Sequence, residues 1–203
     1  MTHYKGSAIL SRTSKMPGKS FGIGAHRCIT GGKLVKIKGS TCSSCYALKG
    51  SYTWDGYKNA EPKRWDLINS DKFVEIMTGS LSRLKGDVFR WFDSGDVQSV
   101  KMAVSILNIC EATPKLKHWI PSREATIWKN ALKKKALPDN VTLRISATMI
   151  DGNPPSSHVN TSTVHKNKPA IGYACPASNQ GGKCLDCRAC WSRDIKNVSY
   201  KAH

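Results

Sequence analysis

From Ser70 onward, apolar and polar positions alternate in a regular way that predicts helices and strands. Positions 73, 74, 77, 81 and 84 are apolar at helical spacing, which predicts a helix that begins after Ser70 or Asp71 and ends at Gly86. A mostly apolar run predicts a buried helix over 99–112, and a third helix is predicted over 127–132. Short apolar or alternating runs predict strands over 88–92, 118–120, 141–149 and 170–174.

The order of these elements predicts an α/β fold. Strands that recur with a helix between them are typical of βαβ units and a parallel sheet. A full eightfold barrel needs roughly 250 residues, and this chain has 203. We therefore expect a partial (βα)5–6 barrel or an open parallel sheet. Functional loops should lie at the carboxyl ends of the strands, at 93–96, 121–124 and 175–176.

The length and composition of the chain indicate one domain over 1–203. Apolar residues make up 39% of the sequence, enough for one core and too little for two full domains. Within this domain we expect a cysteine-containing N-terminal loop over 11–50 and a cysteine-rich segment over 175–203. Residues 1–6 lack the apolar core of a secretory signal, and no stretch is apolar enough to span a bilayer. We thus expect an intracellular protein without a membrane partner.

The charge of the chain narrows the choice of partners. There are 32 Lys and Arg residues against 14 Asp and Glu, a formal charge of +18. Such an excess attracts polyanions, so DNA, RNA or a nucleotide is a candidate partner. The alternative is that the charge serves solubility and has no specific partner. No feature of the sequence specifies an oligomeric state.

Three cysteines near the N-terminus form the first candidate metal site. Cys42 and Cys45 are two residues apart, a spacing that can hold one metal from a tight turn, and Cys28 is available as a third ligand. Three thiolates leave one position open for reaction. In the alternative interpretation these residues are half of a structural zinc site, completed by two cysteines from the C-terminal segment.

Four cysteines near the C-terminus form the second candidate site. Cys175 is followed by Cys184, Cys187 and Cys190 at two-residue intervals. In a reducing compartment, four cysteines of this kind indicate metal ligation rather than disulfides. Both an iron–sulfur cluster and zinc fit four closed thiolates. Cys110 lies alone in the predicted apolar helix and is expected to be a core residue.

Three segments carry a resemblance to a known family. The runs CSSCYALKG at 42–50, RWFDSGD at 90–96 and CLDCRACW at 184–191 resemble the gene product 88-like family of bacteriophage proteins. The resemblance extends from about residue 15 to the C-terminus, and it implies a location in the cytoplasm of the infected bacterial host. That family in turn is more loosely similar to radical S-adenosylmethionine (SAM) enzymes. The second resemblance implies a partial βα barrel, a [4Fe–4S] cluster and bound SAM.

The radical-SAM resemblance assigns the first three cysteines to the cluster. Cys28, Cys42 and Cys45 would bind the [4Fe–4S] cluster, whose open iron is chelated by SAM. The sequence departs from the usual motif because thirteen residues separate the first two cysteines. It also departs because the aromatic residue, Tyr46, follows the third cysteine instead of preceding it.

The same resemblance assigns further residues to SAM and substrate. The turn after the strand at 88–92 would receive the SAM amino group, with Asp96 as an exposed carboxylate. Two residues of the strand at 141–149, Arg144 and Ser146, would hold the SAM ribose and carboxylate. The implied SAM-binding residues are Tyr46, Ser94, Gly95, Asp96, Arg144 and Ser146. Arg123 is expected to contact substrate. The structural alternatives are turn and helix-capping roles for the aspartates and a helix-start salt bridge for Arg123.

Two functions from different classes therefore remain open. The first is a phage-encoded radical-SAM-like iron–sulfur enzyme that acts on a nucleotide, a nucleic acid or another anionic substrate. The second is a non-catalytic, zinc-stabilised phage protein that binds nucleic acid or a host factor.

Overall fold

An eight-stranded sheet in the order β1-β2-β3-β4-β5-β6-β8-β7 forms the centre of the protein. The computed structural model describes residues 9–156 and 158–202. The strands are β1 Ser11–Arg12, β2 Lys19–Phe21, β3 Val88–Trp91, β4 Lys117–Ser122, β5 Val141–Ile150, β6 Thr161–His165, β7 Tyr173–Ala174 and β8 Asn197–Lys201. Among the strands of the described residues, β1 and β2 pair in antiparallel fashion, and every other neighbouring pair is parallel. The prediction of an α/β fold is confirmed, with a mostly parallel sheet that is not closed.

Five α-helices accompany the sheet in the described residues. They are α1 Ile29–Leu34, α2 Asp55–Ile68, α3 Phe73–Ser82, α4 Val100–Glu111 and α5 Ala125–Leu132. The last three match the predicted helices. The hydroxyl of Ser99 caps α4 by accepting a hydrogen bond from the Met102 N–H at 3.1 Å. The longest helix, α2, was not predicted, because its positions are mostly polar and it contains Pro62. Within the described ranges, no helix is long and apolar enough to cross a membrane.

The two faces of the sheet are covered by different parts of the chain. Neighbouring residues of a strand point to opposite faces. On β3, Phe89 belongs to the large core that the helices complete, whereas Val88 packs in a second cluster with Trp191. Trp119 on β4 joins that second cluster, which also contains Cys184. The C-terminal segment therefore covers the sheet face opposite the helices.

Several expectations need correction at the level of secondary structure. Residues 11–50 are not simply a loop, because β1, β2 and α1 form within them. The strand expected over 170–174 is reduced to β7 at its end. Residues 1–6, where a secretory signal was sought, lie outside the described residues. The prediction for Cys110 is confirmed, since this residue is fully buried in α4.

Candidate functional site

The loop with the first three cysteines is fastened to the carboxyl ends of β4 and β5. The carboxylate of Glu124, just after β4, accepts hydrogen bonds from the N–H and the hydroxyl of Thr30 at 2.7 and 2.9 Å. The N–H of Thr41 donates to the Thr148 carbonyl of β5 at 2.8 Å. The Nε of Arg123 donates to the Thr41 hydroxyl at 3.1 Å. These bonds hold the start of α1 and the turn at Thr41 against the strand ends.

The three N-terminal cysteines lie together. A Cβ on Gly31 would stand 2.9 Å from the Cβ of Cys28, and 3.5 and 3.6 Å from the sulfurs of Cys28 and Cys42. The missing side chain of Gly31 thus leaves a space that faces both sulfurs. Cys45 is joined to Cys42 by a tight turn, in which its N–H donates to the Cys42 carbonyl at 3.1 Å.

Burial disfavours the thiolate form of these cysteines. It raises the pKa of Cys28 to about 12, and the nearby charges of Asp96, Cys45 and Cys42 add to the effect. Burial also raises the pKa of Cys42, while the positive charge of Arg123 opposes the shift. Metal ligation requires thiolates. A bound metal cation would supply the positive charge that stabilises thiolates in this buried environment.

Asp96 links two strand ends and is not the exposed carboxylate that we expected. It is buried, and it accepts hydrogen bonds from the N–H of Val97 at 2.8 Å, the hydroxyl of Ser122 at 2.6 Å and the N–H of Arg123 at 2.7 Å. Burial raises the pKa of Asp96 to about 6, and the three hydrogen bonds work against this rise. The sequence could not show this, because the donors come from Ser122 at the end of β4 and from Arg123 just after it.

Ser94 and Gly95, in the same turn, also make close contacts inside the protein. The hydroxyl of Ser94 donates to the Ile23 carbonyl at 2.6 Å and shares a short hydrogen bond with the Tyr57 hydroxyl. Gly95 has a φ of +76°, and a Cβ there would lie 2.5 Å from a side-chain carbon of Ile23. The turn is therefore shaped by close packing as well as by hydrogen bonds.

Tyrosines of the N-terminal segment converge on the carbonyl of Asp93. The hydroxyl of Tyr46 donates to it at 2.7 Å, and that of Tyr52 contacts it at 3.3 Å. Asp93 is 2% exposed, and its Oδ1 has no hydrogen-bond partner among the described residues. Burial raises the pKa of Tyr57 to about 12 and that of Tyr52 still further. A cavity of about 270 Å³ adjoins these rings, with Lys58 at its wall.

Sequence reasoning assigned only Tyr46 of these tyrosines to the site. The recurrence of tyrosine at 46, 52 and 57 was the available signal, but nothing in it indicated that Tyr46 and Tyr52 share the Asp93 carbonyl or that Tyr57 contacts Ile23 and Ser94.

Arg144 does not face the predicted SAM site. Its side chain is fully buried on the sheet face that the C-terminal segment covers, and its guanidinium donates only to main-chain carbonyls. The acceptors are Cys190 at 3.1 Å, Ala189 at 2.9 Å, Ser192 at 2.6 Å, Thr161 at 3.2 Å and Lys196 at 3.4 Å. All of its donors are used internally, so none is free for the SAM contact that we expected. Ser146 is half-buried, and its hydroxyl bonds with that of Ser162 at 2.9 Å.

The four C-terminal cysteines form a second group. Burial raises the pKa of Cys184, and the charges of Cys175 and Cys187 raise it further. Burial likewise raises the pKa of Cys190 to about 11, with contributions from Cys175 and Cys184. Leu185 has a φ of +45°, which turns the chain tightly between the second and third cysteines.

The two cysteine groups are separate. The charges that act most strongly on Cys28 and Cys42 come from their own loop and from Asp96 and Arg123. Those that act on the C-terminal group come from its own members and from other cations. The C-terminal cysteines belong to the cluster of Trp119 and Trp191, whereas the N-terminal loop is bonded to the ends of β4 and β5. This placement disfavours the single shared zinc site of the alternative interpretation. In the part of the chain that the structure describes, no set of three or more His, Cys, Asp or Glu side chains has a geometry ready to hold a metal ion.

Comparison with known proteins gives one match. A search of the curated proteins and a search of the solved structures found none. The sequence model of the family described as "Gene product 88" matches residues 4–193, nearly the whole chain. This match includes both cysteine groups and the turn after β3. The chain therefore belongs to the gene product 88 family of bacteriophage proteins.

Proposed function

We propose that this protein is a radical-SAM-like iron–sulfur protein that acts on a nucleotide, a nucleic acid or another anionic substrate in the cytoplasm of the infected bacterium. One observation carries the proposal: Cys28, Cys42 and Cys45 lie together beside Arg123 at the carboxyl ends of parallel strands. In open parallel sheets, ligands bind at this edge. The sequential, parallel order of β2 to β6 supports the proposal, because the strands of a partial βα barrel also follow one another in this way.

The residue types of the N-terminal group suit a [4Fe–4S] cluster, although its side chains, among the described residues, are not arranged around a metal. Cysteine thiolates hold such clusters, and three of them leave one iron free for another ligand. The space beside Gly31 faces two of the three sulfurs, and the loop around them is held to β4 and β5. When bound, a cluster of this kind supplies the electron that cleaves SAM. Cys28, Cys42 and Cys45 would be its protein ligands.

The residues proposed to bind SAM must be revised. Asp96 and Arg144 already use their hydrogen-bonding groups inside the protein. Asp93 has a carboxylate oxygen without a partner in the described residues, but this oxygen is buried, so it is no more accessible to the SAM amino group than Asp96 is. Tyr46, which is 56% exposed, and the half-buried Ser146 keep their proposed contacts. Ser94 and Gly95 would contribute by shaping the turn.

Arg123 is proposed to contact the substrate. Its guanidinium lies next to the N-terminal cysteines, where its charge affects the pKa of both Cys28 and Cys42. A cation at the edge of the site favours an anionic substrate. The net charge of +18 also attracts an anionic substrate, over a longer range than Arg123 alone.

Metal analysis after anaerobic purification and reconstitution tests the proposal. We expect about four irons per chain if only the N-terminal group holds a cluster and about eight if both groups do, with absorption near 400 nm and with SAM binding and cleavage. Cys42→Ala should lose about four irons. Cys110→Ala is the matched control, because Cys110 is buried in α4 and belongs to neither group. A colourless protein that holds only zinc after reconstitution, and binds no SAM, would contradict the proposal.

A second candidate function is a non-catalytic, zinc-stabilised protein that binds nucleic acid or a host factor. It is favoured by the C-terminal cysteine group, which packs with Trp191 in the second hydrophobic cluster as a structural site would. The charge of +18 suits a nucleic-acid partner. This candidate predicts zinc without iron and an affinity for DNA or RNA that falls steeply with salt.

A further inference from the structure

The N-terminal part of the chain carries positive charge without any acidic residue. Residues 1–54 contain nine of the 32 Lys and Arg residues and no Asp or Glu, so about a quarter of the chain supplies half of the net charge of +18. The loop that holds the N-terminal cysteines lies in this segment, and four lysines in or next to it are exposed: Lys33, Lys36, Lys38 and Lys49. The protein therefore presents a cationic surface beside the candidate site.

Trp54 is the last residue of this segment and an unusually exposed one. It is 68% exposed, more than any other aromatic residue in the described ranges. It occupies the N-cap position of α2, where small polar residues are preferred, and its side chain makes no capping hydrogen bond. The indole therefore contributes little to the core or to the helix. Proteins bind single-stranded nucleic acid by combining exposed ring faces, on which bases stack, with cationic side chains that hold the phosphates.

Lys58 is close to Trp54 and also lines the cavity of about 270 Å³. Its N–H donates to the Trp54 carbonyl at 3.0 Å, which places the two residues one helical turn apart at the start of α2. The cavity is also lined by Thr53, the neighbour of Trp54 in the chain, and by Tyr52 and His26. A strand whose base stacks on Trp54 can therefore extend toward a cavity wall that combines an aromatic ring with a basic side chain.

The carboxylates of this face do not cancel its positive charge. Glu61, at the cavity wall, is already paired with Arg27 at 2.7 Å and accepts a hydrogen bond from the Gly24 N–H at 3.0 Å. Asp55, the neighbour of Trp54, is exposed and opposes the lysines only locally. The helix α2 is mostly polar, so it lacks the apolar face with which interfacial helices bind lipid. The charge and the exposed indole together favour a nucleic acid over a lipid surface.

We propose that Trp54, Lys58 and the adjoining cavity form a binding site for single-stranded nucleic acid, in which a base stacks on the indole and Lys58 contacts a phosphate. The exposed lysines of the cysteine loop contact neighbouring phosphates. The inference rests on the proposed function for its anionic substrate, and it goes further by naming the form of that substrate and the residues that bind it. Duplex DNA, whose bases are already stacked on one another, does not offer a free base to Trp54.

Fluorescence anisotropy of a labelled oligothymidylate with the full chain tests the role of Trp54. Trp54→Ala should weaken binding by about 5- to 150-fold, the usual effect of removing one aromatic residue that stacks on a base. Trp54→Phe keeps a ring face and should stay within a few-fold of the wild type. Val159→Ala is the matched control and should bind as the wild type does, because Val159 is 73% exposed and lies before β6, outside the proposed site.

The salt dependence of binding tests the role of Lys58. Each phosphate contact on a single strand contributes about 0.7 to the slope of log affinity against log salt concentration, so Lys58→Ala should reduce that slope by about 0.7. Lys115→Ala should leave the slope unchanged, since Lys115 is exposed but lies just before β4, at the opposite edge of the sheet. Asp55→Asn should strengthen binding, because it removes the carboxylate next to Trp54.

The outcomes separate this inference from the proposed chemistry. Equal affinities of the wild type and folded Trp54→Ala would overturn the inference even if the protein holds iron and cleaves SAM. A protein that holds only zinc, yet loses affinity in Trp54→Ala, would keep the inference and contradict the radical-SAM proposal alone. Equal competition by duplex DNA, by thymidine monophosphate or by phosphatidylserine vesicles would assign the face to another ligand and overturn the inference. Should Trp54→Ala fail to fold, an unchanged salt slope in Lys58→Ala would overturn it instead.

Discussion

Lowering the pH from 7 to 5 should destabilise the protein through one buried residue, His118. Its ring accepts a hydrogen bond from the Trp91 Nε1–H at 3.3 Å on Nδ1, and its Nε2 contacts the Thr113 hydroxyl at 2.9 Å. The Thr113 hydroxyl donates to the Ile109 carbonyl at 2.7 Å, so Nε2–H acts as the donor toward Thr113. This arrangement fits one neutral tautomer, and protonation of Nδ1 would break the bond from Trp91.

The direction of the effect follows from the two pKa values of this histidine. Its ordinary value is 6.5, and burial lowers the pKa to about 4 in the folded protein. Between these values the unfolded chain binds more protons than the folded one, so the free energy of unfolding falls as the pH falls. Above pH 6.5 the ring is neutral in both states and contributes no pH dependence. The loss amounts to about 2 kcal/mol by pH 5 and about 3 kcal/mol by pH 4.

Urea unfolding of the wild type and of His118→Gln at pH 7 and pH 5 measures this contribution. Asp96 acts in the opposite direction, because burial raises its pKa from 3.8 to about 6 and stability from this group grows as the pH falls. Asp96 is present in both proteins, so its effect cancels in the difference between them. We expect the wild type to lose about 2 kcal/mol more than His118→Gln. Equal losses in the two proteins would refute the argument that His118 is buried as the neutral form.

Two further substitutions test the environments of the cysteine groups. Gly31→Ala should lower iron incorporation at the N-terminal group, because its Cβ would fill the space beside the sulfurs, while Gly32→Ala should not, since nothing lies within 4 Å of a Cβ there. Equal iron contents in these two variants would contradict the proposed position of the cluster. Trp191→Phe should cost about 1–2 kcal/mol in thermal or urea unfolding, because it removes the indole hydrogen bond to the Phe89 carbonyl at 2.8 Å. An unchanged free energy of unfolding would show that this hydrogen bond does not contribute to the stability of the protein.

The elements that were predicted correctly carry local signals. The helix α4 has an apolar sequence, a hydroxyl at Ser99 to cap it and Pro114 soon after its end. The strand β5 has alternating apolar positions along most of its length. Such signals lie within one turn or one strand, so they can be recognised without knowledge of the rest of the fold.

The elements that were missed depend on their neighbours. The strands β6 and β8 contain Thr161, Ser162, Thr163, Asn197 and Ser199, polar residues that are all buried. Their side chains bond across the sheet, as between the Asn197 amide and the Thr163 hydroxyl at 2.9 Å. A run of threonine, serine and asparagine predicts a loop unless the partner strand is known.

The sequence by itself determined the alternation of helices and strands from α3 to β5, the two groups of cysteines and the family. Tertiary structure decided what the polar residues near those cysteines do. Asp96 and Arg144 have residue types and positions that suit a ligand, but donors and carbonyls from distant segments occupy them. A buried charged group is stable only when its neighbours satisfy it, and those neighbours come from strands and loops far away in the chain. For that reason the cysteine spacing could be read from the sequence, whereas the partners of each charge could not.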